Sequence, residues 1–161
     1  MEKLTDINGF SGVISIDRQG RWWYEGNQII HPEVLALFRR SLVHESDGGY
    51  FIDYRGKRAP VEVAVCPFFI TDVEASLDDA GGLRQVVLVL DDGSRETLAP
   101  AKLSLDGEGV LRTRVKDDRF CARFLPGAHF RLAEFLRPGA GEDSYELVIG
   151  GRKYRLTTAA D

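Results

Sequence analysis

The residues best placed to do chemistry lie between Arg112 and Arg123. Asp117-Asp118 reads as a two-residue turn, which would set Lys116 opposite Arg119, Arg114 opposite Cys121 and Arg112 opposite Arg123. Alternate residues of a strand share a face, and directly opposed residues share it too. One face of this hairpin would therefore carry five cations around one thiol. The other would carry Leu111, Thr113, Val115, Phe120, Ala122 and Phe124, a core face. Opposed like charges destabilise a strand pair, so the cations need water, carboxylates from another segment or an anionic ligand. Arg112, Arg114 and Arg123 are the candidate anion-binding residues. A one-residue slip of the turn would scatter them over both faces.

An aromatic step, Trp22-Trp23-Tyr24, offers the other recognition chemistry. On a strand, Trp23 points opposite to Trp22 and Tyr24. One side belongs in a core, and Trp22 or Tyr24 is the candidate for stacking on a base or aromatic ligand. Catalytic chemistry has thinner support. His31, His44 and His129 lack metal-ligand spacing, so no metal or other cofactor is expected. Cys121 and His129 are the one conceivable nucleophile and base. Asp53 with Arg58, and Glu146 with Arg155, read as surface cross-strand pairs.

These residues are positioned by a module that occurs twice. Pro32–Val61 and Pro126–Leu156 each run proline, helix, polar Gly/Ser stretch, tyrosine strand, glycine turn, strand. Proline suits the first turn of a helix, where its missing N–H would have no partner. Val34, Leu37, Phe38, Ser41 and Leu42 follow at helical spacing, and Asp47-Gly48-Gly49 closes that segment. The second helix is expected over Gly127–Arg137, stopped by Pro138-Gly139. Hairpins are expected at Arg55-Gly56, Asp91–Ser94 and Gly150-Gly151. Asp78–Gly82 reads as a linker between lobes.

The 161 residues suffice for one domain or two small lobes. The expected division is a mobile leader over 1–11, an α+β lobe over 12–66 and a β-rich lobe with one helix over 67–161. A net charge of −4 argues against general nucleic-acid binding. No apolar run approaches membrane-spanning length, and two cysteines without a C-x-x-C motif suggest reduced thiols in the cytoplasm.

Gly20-Arg21-Trp22-Trp23-Tyr24-x-Gly26-x-x-Ile29, Val34-x-x-Leu37-Phe38, Gly49-Tyr50-Phe51 and Val61-x-Val63-x-x-x-Pro67-Phe68 together resemble the bacterial domain-of-unknown-function family 1285. The resemblance is looser over Val115–Leu125, Phe130-x-Leu132-x-Glu134 and Tyr154-x-Leu156. It implies a duplicated core, a C-terminal lobe like a partly open pleckstrin-homology barrel, a ligand site between the lobes and a role in signalling. Two stretches depart from the family pattern. Tyr54-Arg55-Gly56-Lys57 replaces Thr-Pro-x-Glu, and Ala64-Val65-Cys66 stands where the family has an acidic pair. Those changes remove carboxylates from the site that the resemblance implies.

The resulting expectation is an α+β protein of two similar lobes. Its function would be non-catalytic binding of a small anionic ligand, with a nucleotide among the candidates. A protein-interaction module is the alternative, with short hairpin edges that accept a partner's strand. A hydrolase or transferase built on Cys121 and His129 is the third reading.

Overall fold

A computed structural model describes residues 12–142 and 144–158. The leader expected over 1–11 lies outside the described residues. The chain forms two compact units, divided between Pro67 and Phe68. The described residues are α+β, with two α-helices and three sheets, none closed into a barrel.

The first unit holds β1 (Ile14–Ile16), β2 (Trp22–Tyr24), β3 (Asn27–Gln28), the first helix (Pro32–Arg40), β4 (Leu42–His44), β5 (Tyr50–Tyr54) and β6 (Lys57–Val63). Its strands form one sheet in the order β3-β2-β1-β6-β5-β4. Ile14, Ile16, Trp22, Phe38, Leu42, Ile52 and Ala59 are buried. The Trp22 and Phe38 rings lie 6.1 Å apart, which brings the helix and the aromatic strand into one core.

The second unit holds β7 (Phe68–Leu77), β8 (Leu83–Leu90), β9 (Arg95–Thr97), β10 (Ser104–Leu105), β11 (Leu111–Val115), β12 (Phe120–Phe124), the second helix (Pro126–Ala133), β13 (Leu136–Pro138), β14 (Tyr145–Ile149), β15 (Arg152–Arg155) and β16 (Thr157–Thr158). Seven strands make an open sheet in the order β16-β10-β11-β12-β7-β8-β9, and β13-β14-β15 make a separate one. The second helix packs on β7.

The duplication is present in the backbone. Helix, strand, strand, strand recurs as first helix-β4-β5-β6 and second helix-β13-β14-β15. The registers coincide as well. Leu42 pairs with Ile52 and Leu136 with Leu147, while Ile52 pairs with Ala59 and Leu147 with Tyr154. Both final hairpins turn through two residues of positive φ, Arg55-Gly56 and Gly150-Gly151, as a type I′ turn requires.

Two expectations need correction. Each helix ends earlier than its apolar spacing suggests. Leu42–His44 and Leu136–Pro138 are edge strands rather than helix continuations. Their ladder pairing with β5 and β14 outweighs a last helical turn, and Pro138 is tolerated because an edge strand has no ladder partner on one side. Asp78–Gly82 is no linker either. It is the tight turn between the paired strands β7 and β8, with the Asp78 carboxylate accepting from the Ala80 and Gly82 N–H groups. Among the described residues, no helix is long and apolar enough to cross a membrane.

Candidate functional site

The β11–β12 hairpin has the expected register. Arg112 faces Arg123, Thr113 faces Ala122, Arg114 faces Cys121 and Val115 faces Phe120. The six residues of the opposite face are all buried. Arg112, Arg114 and Arg123 are therefore brought to one side of one sheet.

Carboxylates meet them there. Asp106, whose side chain is 4% exposed, accepts from Arg123 Nε at 2.9 Å through Oδ2 and pairs with Arg112 Nη2 at 3.9 Å. Its Oδ1 accepts the backbone N–H groups of Glu108 and Val110, so the same side chain also closes the turn before β11. Arg123 reaches Glu108 as well, at 3.3 Å. Arg114 pairs with Asp118 at 3.3 Å, and Lys102 shares that carboxylate. Lys116 pairs with Asp92 at 2.6 Å. Hydrogen bonds from Lys116, together with those from Ser94, hold the Asp92 carboxyl below its ordinary range despite opposing desolvation. Of the three arginines, Arg114 has the most exposed side chain at 38%, against 15% for Arg112 and 12% for Arg123. The opposed charges are thus compensated by carboxylates of the same unit.

The turn itself carries strain. Lys116, Asp117 and Asp118 all have positive φ, a region costly for residues with a Cβ. Asp117 is exposed, and its side chain makes no hydrogen bond or ion pair among the described residues. Asp117→Gly is expected to stabilise the protein by about 1 kcal/mol. That corresponds to a rise of roughly 2–4 °C in the thermal midpoint for a chain of this size. An unchanged or lower midpoint would show that the turn is relaxed.

The stacking candidates belong to the first unit. Trp22 is buried against Phe38, and its Nε1–H has no partner among the described residues. It is a core side chain, not an exposed platform. Tyr24 is half-buried. Trp23 is the half-buried indole of the step, donating from Nε1 to Asp17 at 2.8 Å. Cys66 and Cys121 are both disulfide-bonded, which corrects the expectation of reduced thiols and leaves a Cys121 nucleophile without its thiol. No cluster of metal-ligating side chains occurs among the described residues.

A cleft of about 270 Å³ lies elsewhere in the second unit. Leu105, Gly109, His129, Ala133, Leu136, Pro138 and Tyr145 line it. Leu105 pairs with Leu111 and so shares the core face of the sheet, whereas Arg112 and Arg123 occupy the other. None of the arginines lines the cleft. His129 is its polar wall. The Leu111 N–H donates to His129 Nδ1 at 3.2 Å, which fixes the ring and leaves the proton of the neutral imidazole on Nε2. Burial holds the His129 pKa below its ordinary value, helped by the positive charge of Arg123 and opposed by Asp106.

The duplication explains why the cleft forms in this copy. Across the matched helices and edge strands, His129 corresponds to Leu35, Ala133 to Arg39 and Pro138 to His44. In the first copy Arg39 is a half-buried long side chain, and His44 stacks on Tyr50 at 4.2 Å. The second copy places a methyl group and a proline ring at those two positions. Sequence reasoning missed this site, yet its signal was available in the positions where the copies differ.

Two solved structures share this architecture. The crystal structure of a DUF1285 family protein from Silicibacter pomeroyi DSS-3 superposes with a TM-score of 0.72 at 19% identity, over 89% of this chain and 78% of that one. A DUF1285 family protein from Shewanella baltica OS155 gives 0.59 at 17% identity, over 75% of this chain and 90% of that one. The chain has the DUF1285 fold. No family model matches the sequence, and no curated protein matches it. The DUF1285 resemblance carried by the tryptophan strand, the first helix and the tyrosine strand therefore holds at the level of fold.

Proposed function

We propose that the protein is a non-catalytic binding protein whose small ligand occupies the cleft of the second unit. One observation carries the reading: the cleft opens where the second copy exchanges Arg39, His44 and Leu35 for Ala133, Pro138 and His129. Concave, mostly apolar sites with a few placed polar groups are where small molecules bind. The test is a ligand-observed NMR screen of single-ring fragments against the full chain. Ala133→Phe projects a ring into the cleft and is expected to weaken every hit at least tenfold, with the circular dichroism spectrum unchanged. Hits that bind the variant as well as the wild type would place the ligand elsewhere.

A second reading keeps the anionic ligand and is favoured by Arg114. This arginine and Lys102 converge on Asp118, an exposed carboxylate that a phosphate could replace. Arg112 and Arg123 would add positive potential behind it. Calorimetry with a nucleotide panel tests this reading. Submillimolar binding lost in Arg114→Glu supports it, and a silent panel removes it.

A further inference from the structure

The cleft's chemistry narrows its ligand, provided that the cleft is the binding site as proposed above. Its size comes first. A dry cavity of about 150 Å³ accepts benzene, and sites for drug-sized ligands begin near 300 Å³. At about 270 Å³ the cleft matches one ring with a short substituent, and a whole nucleotide would overfill it.

The walls come next. Leu105, Ala133, Leu136 and Pro138 present only hydrocarbon, and Tyr145 adds an aromatic ring and a hydroxyl. The oriented polar group is His129. Because Leu111 donates to Nδ1, the ring cannot accept there and carries its proton on Nε2, which makes no hydrogen bond among the described residues. Taking up a second proton would require Nδ1 to surrender the Leu111 N–H. Burial and Arg123 oppose that protonation too. The cleft thus offers a neutral N–H donor on an apolar wall, with no full positive charge to attract an anion.

We infer that the ligand is a neutral single-ring molecule whose carbonyl oxygen accepts a hydrogen bond from His129 Nε2. The hydrocarbon walls take up the ring, and the imidazole selects for the oxygen.

The probes are acetophenone and ethylbenzene, which share a shape and differ in the carbonyl. Each is titrated into the full chain at pH 7.5, with amide shifts followed by two-dimensional NMR. Acetophenone is expected to perturb Leu111, His129, Ala133 and Leu136. It should bind about fivefold tighter than ethylbenzene, the size of one neutral hydrogen bond. His129→Asn places an acceptor where Nδ1 stands and leaves no atom at Nε2, so it should hold Leu111 and erase the preference. His129→Gln can present an amide donor near the Nε2 position and should restore part of it. Equal affinities in the wild type, a preference that survives His129→Asn, or benzoate binding tighter than acetophenone would each overturn the ligand class while leaving the cleft as the site. If neither neutral probe moves these amides, the cleft reading fails and the ligand class with it.

Discussion

Asp106→Ala is expected to destabilise the protein by about 3–5 kcal/mol, the usual cost of removing one partner from a buried ion pair. The wild-type carboxylate serves two masters. Oδ2 meets Arg123 and Arg112, and Oδ1 holds the Glu108 and Val110 N–H groups of the turn. Without it, two largely buried guanidiniums face each other at one register position, and Arg123 keeps only its contact with the exposed Glu108 among the described carboxylates. Asp106→Asn separates the two duties. Its amide oxygen can still close the turn, but it supplies no charge to the arginines, so the loss should be smaller than for alanine. Urea unfolding of the three proteins measures the series. Added salt should rescue little, because buried pairs are poorly screened. A loss below 1 kcal/mol in Asp106→Ala would mean that water, not this carboxylate, compensates the arginines.

That prediction also marks what the sequence could and could not say. The face that Arg112, Arg114 and Arg123 share follows from two local facts, the Asp117-Asp118 turn and the period of a strand. Neither depends on anything distant. Their partner Asp106 was invisible for the opposite reason. It follows a two-residue strand, Ser104–Leu105, whose pairing no propensity announces. The cleft was hidden by a boundary. While the second helix is read through to Arg137, Leu136 and Pro138 cannot form the wall beside Tyr145. Once the helix stops at Ala133, they pair with Leu147 and Tyr145 and the cavity appears. The repeat was legible because its markers, Pro32 and Pro126, Tyr50 and Tyr145, Gly56 and Gly151, are backbone and turn residues that any copy needs. Trp22 shows the limit of composition. The same indole can serve as a stacking platform or a core side chain, and its burial against Phe38 made it the second.

Phe38 and Leu132 are the same position of the repeated module, and neither has any exposed surface. The paired strand positions Ile52 and Leu147 are likewise fully buried, and the second helix packs on β7 and β12. Truncation leaves a cavity that close-packed neighbours fill only in part. Phe38→Ala should therefore cost about 3–5 kcal/mol and Leu132→Ala about 2–5 kcal/mol. The larger loss belongs to Phe38, because its ring leaves the larger cavity and also packs against Trp22. Opening that core to water would hydrate the indole, which predicts a red-shifted tryptophan emission in Phe38→Ala and not in Leu132→Ala. Hydrogen exchange gives the matching readout, with protection falling first in the sheet of the first unit in one variant and across β7 and β12 in the other. Chemical unfolding monitored by both probes checks the pair. If the two variants were indistinguishable in emission and in the location of lost protection, the copies would not be separate packing units, and the duplication would be a resemblance of chain path alone.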